Sequence, residues 1–226
     1  LDGHSLAYRA FYALPVENFS TATGQPTNAV YGFTSMLINA LRDENPTHLA
    51  VAFDVSRATF RSDQFPDYKA NRSKTPDEFR GQVSLIKEVL EALQVPVFEV
   101  DGYEADDVIG TLARQAAEEG FTVYMVTPDK DFGQLVTDHI YMYKPSKQGN
   151  GAEVLGPKEI VENWGIERAD QVHPHRGLEL RQRHRAVLAQ HAAGTEDTGA
   201  TDRDVEAAHR RARRRDRLAH AVLAAH

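Results

Sequence analysis

Glu104, Asp106 and Asp107 crowd three carboxylates into four residues of "VDGYEADDVIGTLARQAAEEG", where an apolar helix begins. Acids in a first helical turn answer to the helix dipole, at a few tenths to about 1 kcal/mol each, and Asp101-Gly102 could form an ordinary cap. Four more acids follow short apolar runs or open the chain. Asp2 stands at the start, Asp54 ends "LAVAFD", and Asp129 and Asp131 follow "VYMVTP". In a parallel α/β sheet, sites form beyond the carboxyl ends of the strands. These positions therefore predict seven acids on one edge of one sheet. The dipole of the helix after Glu104 does not account for Asp2, Asp54 or Asp129. So many carboxylates repel one another unless cations lie between them. Oxygen donors with no Cys and no nearby His select Mg²⁺ or Mn²⁺.

Clustered ions of this kind suit phosphodiester hydrolysis. One metal generates hydroxide from water, and a pair about 3.5–4 Å apart stabilises the attacking and leaving oxygens. No GxxxxGK[ST] phosphate loop is present, which disfavours nucleoside-triphosphate hydrolysis. Up to residue 172 the only histidines are His4, His48 and His139, and no Ser/His/Asp arrangement stands out.

The elements that must position these acids alternate. "NAVYGFTSMLINALR" (28–42) has helical periodicity, and "THLAVAFD" is a short apolar run of the buried-strand type. "DEFRGQVSLIKEVLEALQ" (77–94) is an amphipathic helix with Val83, Ile86, Val89, Leu90 and Leu93 on one face. "VPVFEV" predicts a strand, 103–119 a helix, "FTVYMVT" and "HIYMYKP" two strands, and "GPKEIVENWG" (156–165) a capped short helix. Alternating strands and helices predict an α/β fold, a doubly wound and mostly parallel sheet with helices on both faces. The connection 55–75 is basic, with Arg57, Arg61, Lys69, Arg72 and Lys74 among Phe60, Phe65 and Tyr68. Cations pair with phosphates and aromatics stack on bases, although a solvated loop can have the same composition.

The net charge of −7 is split: residues 1–172 carry 15 basic and 26 acidic side chains, residues 173–226 carry 11 and 7. Bound cations would invert the local charge of the acidic part. The absence of Cys fits a reducing cytoplasm. No apolar run approaches the ~20 residues of a membrane span. Opening on Leu1-Asp2-Gly3, without Met, marks the chain as a fragment. Beyond Val172 it contains no Ile, Phe, Tyr, Trp, Met, Lys, Asn or Ser but seven of ten His and eleven of nineteen Arg. Such a tail could be a basic helix for nucleic acid. Its composition reads better as a segment that does not fold.

Five motifs, "LDGHSLAYRAFYAL", "VAFDVSRATFR", "FPDYKANRSKTPDEF", "VDGYEADDVIGTLA" and "VTPDKDFGQLV", resemble in order the 5′-nuclease family found at the N-terminus of bacterial DNA polymerase I. The resemblance covers residues 1–172. It implies a PIN-like 5′-nuclease fold with a helical arch at about 55–76, and a monomeric 5′→3′ exonuclease and flap endonuclease. Its substrates would be DNA with a 5′ flap, nick or RNA primer, in replication and repair, with a polymerase domain following in the parent protein. By motif position, Asp2, Asp54, Glu104, Asp106, Asp107, Asp129 and Asp131 would hold two Mg²⁺ or Mn²⁺ ions. Tyr68, Lys69 and Arg72 would contact the strand in the arch, and Arg9 a phosphate, while His4 and Tyr8 would shape the surroundings. The family's G-D-x-x-D-N motif and helix–hairpin–helix are replaced here by "HPHRGLELRQRHRAVLAQ". The codons of Arg181-Gln182-Arg183, read one base later, can give Asp-Asn-Val, so a reading-frame shift would explain the break. Other readings are a non-catalytic nucleic-acid-binding remnant lacking the clamp and a single-strand ribonuclease of the related PIN-like fold.

Overall fold

The computed structural model describes residues 1–55, 75–146 and 151–165. The expected arch, with Tyr68, Lys69 and Arg72, and the expected tail at 173–226 lie outside the described residues.

The chain opens with Leu1 and Asp2, then α1 (Gly3–Ala13) and a 3-10 turn (Val16–Asn18). Next come α2 (Asn28–Glu44), β1 (Val51–Ala52), α3 (Asp77–Ala92) and β2 (Val97–Phe98). The second half holds α4 (Ala105–Glu118), β3 (Val123–Val126), a 3-10 helix (Lys130–Leu135), β4 (Ile140–Pro145), β5 (Ala152–Leu155) and α5 (Pro157–Trp164). Helix ends follow local chemistry. Asp2 caps α1 by accepting from the Ser5 amide at 3.0 Å, satisfying a donor the helix leaves orphaned. Asn45 closes α2 in the left-handed region at φ 42°, just before Pro46, which cannot continue the helix. Pro157 begins α5, and Gly165 at φ 61° ends it.

The expected single sheet is present as two ladders joined by two residues. β1 and β2 pair in parallel, β3 and β4 pair in parallel, and β5 adds to β4 antiparallel. Leu1 and Asp2 lie between the ladders. The Ala52 amide donates to the Leu1 carbonyl and the Asp2 amide to the Val126 carbonyl, both at 3.0 Å. Asp2 is thus at the middle of the sheet.

Side chains alternate across this sheet into two cores, as pleating requires. Val51, Phe53, Val126 and Tyr143 pack with Leu6, Phe33, Leu37, Phe79, Ile86 and Leu90 of α1, α2 and α3. Ala52, Met125, Met142 and Leu155 pack with Val108, Ile109 and Ala113 of α4 and Ile160 of α5. The fold is the expected α/β arrangement with helices on both faces. Among the described residues no helix is long and apolar enough to cross a membrane.

The crossing of α1 and α2 depends on Gly32. A Cβ there would sit 2.5 Å from the Ala10 Cβ and 3.1 Å from the Leu14 Cδ1. Gly32→Ala gains helix propensity of about 1 kcal/mol. Overpacking between two helix backbones costs about 1–3 kcal/mol, so the clash wins. Gly32→Ala is expected to lower the urea midpoint of the chain, and an unchanged or raised midpoint would contradict this packing.

Candidate metal centre

Three of the acids, Asp2, Asp54 and Asp129, are delivered by sheet segments. Asp2 is buried, with Oδ1 on the Ser5 amide and Oδ2 accepting from the Thr127 hydroxyl at 3.0 Å. Asp54, just beyond β1, accepts from the Ala105 amide at 2.6 Å, the first amide of α4. Glu104 is buried beside that helix start. Asp129 follows β3 and accepts from the Asp131 amide at 2.9 Å, capping the 3-10 helix. These bonds correct one step of the sequence reading. Asp2, Asp54 and Asp129 do have helix starts to serve, only not all the same one. Capping therefore occupies one oxygen of each, and capping alone cannot make them ligands.

Asp106 stands apart. No described residue makes a capping bond to it. Burial pushes its carboxyl well above the usual carboxylate range, and Asp2, Glu104, Asp129 and Asp54 push it the same way. Burial likewise raises Asp2, and Asp54 adds to the rise. Asp2, Asp54, Glu104 and Asp129 thus all act on Asp106 through their charge. Asp107 has other visible work. The Asp107 carboxylate turns back to accept from the Glu104 amide at 3.1 Å, and Asp131 is half-buried within the 3-10 helix. Among the described residues, no group of three or more His, Asp or Glu side chains lies close enough together to hold a metal ion.

The expectation of no nearby histidine needs correction too, because His4 stands beside Asp54. Its Nδ1 lies 3.8 Å from the Asp54 carboxylate but accepts from the Asp54 amide at 3.1 Å. A nitrogen that accepts carries a lone pair, and burial lowers the His4 pKa, so His4 is neutral and the contact is not an ion pair. It holds the Asp54 backbone. Thr127 was not picked out from the sequence. Fully buried, it donates to Asp2 and accepts from the Asp129 amide at 3.1 Å, tying two acids from different sheet segments together. Its only sequence signal was its place at the end of a strand, before Pro128. Arg9 is half-buried on α1.

The donor set is all oxygen, and every neighbour that presses on Asp106 is acidic. That chemistry fits a hard divalent cation.

The α/β fold and the family model agree on a domain of the 5′-3′ exonuclease kind. The chain belongs to the family described as 5′-3′ exonuclease, N-terminal resolvase-like domain, whose family model matches residues 1–165. It is 58% identical over 166 residues to DNA polymerase I of Mycobacterium bovis, covering 74% of this chain and 18% of that one. It is 45% identical over 166 residues to DNA polymerase I of Geobacillus stearothermophilus, covering 74% and 19%. The chain thus spans under a fifth of the length of these relatives. The crystal structure of the T5 D15 protein co-crystallized with metal ions matches with a TM-score of 0.58 at 18% identity, over 75% of this chain and 60% of that one. That likeness is one of fold.

Proposed function

We propose that the chain is the nuclease part of a DNA polymerase I and hydrolyses phosphodiester bonds at 5′ ends, flaps and RNA primers during replication and repair. The observation that carries this reading is the gathering of acids from three sheet segments: Thr127 ties Asp2 to Asp129, and Asp54 is tied to the start of α4 beside Glu104 and Asp106. Those five would hold Mg²⁺ or Mn²⁺, in two positions, with Asp107 and Asp131 at the margin. A bound divalent cation supplies activated water and charge stabilisation for in-line displacement at phosphorus. The chain's own residues set the stage for this. Thr127 fixes Asp2 and Asp129, His4 fixes Asp54, and Arg9 with Tyr68, Lys69 and Arg72 would grip the strand by its phosphates and bases. The T5 relative, crystallised with metal ions, supports the cation.

A second reading, a nucleic-acid-binding fragment without turnover, is favoured by one observation: no three of the described carboxylates lie close enough together to hold a metal ion. A 5′-flap duplex separates the two. With Mg²⁺ the first reading gives short 5′ products that EDTA abolishes, and the second gives binding alone.

The basic segment yields its own test. Lys69→Ala and Arg72→Ala should each lower the cleavage rate and flatten the salt dependence of DNA binding by about one unit of slope, since each removes a phosphate contact. Metal affinity should not change. Parental cleavage rates in both variants would reduce 55–76 to a connecting loop.

A further inference from the structure

We infer that Tyr12, with Arg9 one turn before it, is a stacking platform for an unpaired nucleobase at the end of α1 remote from the acids; this rests on the nuclease reading and deepens it.

Three rings form a ladder from core to solvent. Phe79 is fully buried, Tyr8 stacks on it with centroids 3.9 Å apart and planes at 16°, and Tyr12 lies parallel to Tyr8 at 6.2 Å and 7°. The Tyr8 hydroxyl donates to Thr75 Oγ1 at 2.8 Å, pinning the middle ring. Phe11 meets Tyr12 edge-on at 5.2 Å and 86°. Tyr12 is therefore held from within the protein, yet it is 72% exposed, more than any other large apolar or aromatic side chain among the described residues. A ring ordered by its neighbours and left open to water loses no further rotamer freedom when something flat settles on it.

Arg9 decides what that occupant is. It lies three residues before Tyr12, so both project from the same side of α1. No described residue makes a hydrogen bond or ion pair to its guanidinium. A flat ring beside a free guanidinium matches a base joined to a phosphate, whereas an apolar peptide would leave the cation without a counter-charge. Asp2 begins α1 and Tyr12 nearly ends it, ten residues or about 15 Å along the axis. A stacked strand advances about 3.4 Å per nucleotide. The acids and Tyr12 can then serve one strand only if about four unpaired nucleotides lie between them.

The test uses the full chain in EDTA, with duplexes carrying 5′ overhangs of two or six nucleotides and 2-aminopurine near the overhang end. Wild type is expected to bind the six-nucleotide substrate and quench its fluorescence. Tyr12→Ala should weaken that binding about tenfold and remove the quench, Tyr12→Phe should retain both, and the two-nucleotide substrate should not distinguish them. Arg9→Ala should reduce the salt slope by about one. Equal affinity of wild type and Tyr12→Ala for the longer overhang overturns the platform. So does an equal loss on both lengths, or no binding by wild type. If the base is quenched through Tyr12 but a Mg²⁺-containing reaction cleaves nothing, the nuclease reading fails and the platform stands. If Mg²⁺-dependent cleavage occurs and Tyr12→Ala changes nothing, the platform alone fails.

Discussion

Asp106→Asn is expected to reduce Mg²⁺-dependent flap cleavage by a factor on the order of 10³ or more, as loss of a group that holds the charge-stabilising cation would. The same variant should be no less stable than wild type without metal. The sign follows from linkage. Burial and four acidic neighbours raise the folded-state pKa of Asp106 above its unfolded value. The folded state then binds the proton more tightly, so stability present below the unfolded pKa, near 4, is lost as pH rises through the folded value. Asparagine cannot ionise and escapes that loss. Thermal melts in EDTA from pH 4 to 8 should show wild type falling relative to Asp106→Asn, with Mg²⁺ restoring wild type only. A variant that melts lower at pH 8 in EDTA would mean that the carboxylate stabilises the fold itself.

Gln82→Leu should be the most damaging single change to the scaffold, costing about 2–6 kcal/mol from two orphaned buried groups at about 1–3 kcal/mol each. Gln82 on α3 is buried, and its Oε1 accepts from the Ala29 amide at 2.7 Å. Its Nε2 donates to Asn28 Oδ1 at 2.8 Å, and Asn28 Nδ2 in turn donates to the carbonyls of Phe11 and Leu14 at 2.8 and 3.0 Å. Thr27 gives α2 no side-chain cap, so Gln82 caps that helix from a distant element. One amide pair thereby locks α1, α2 and α3. Leucine matches the volume and strips every one of these bonds from Gln82. Urea unfolding should show a lower midpoint with an unchanged slope, and a loss below about 1 kcal/mol would show that water replaces the network.

Periodicity reads the long helices well. The expected 28–42 and 77–94 correspond to Asn28–Glu44 and Asp77–Ala92, because apolar residues recur there at helical spacing. Strands are less legible. "THLAVAFD" contributes only Val51 and Ala52 to a ladder, since its one partner strand is equally short. β5 went unread because Glu153 and Val154 are exposed on an edge next to Gly151, so no apolar run marks it. α1 was missed because Asp2 looked like a strand end. It is both, pairing with Ala52 and capping the helix that follows. The placement of Asp54 and Asp129 just beyond strands could be found from the apolar runs before them. Thr127, His4 and Gln82 could not, because a single polar residue carries no spacing and its role exists only through contacts 50 to 125 residues away.

Whether the acids around Asp106 hold a divalent cation can be measured directly. Titrating Mn²⁺ into the metal-free chain, followed by the paramagnetic enhancement of water-proton relaxation, tests it without any substrate. Saturable binding is expected, which Mg²⁺ displaces and Asp106→Asn abolishes or weakens by at least about tenfold. Binding that is absent, or identical in wild type and Asp106→Asn, would contradict it.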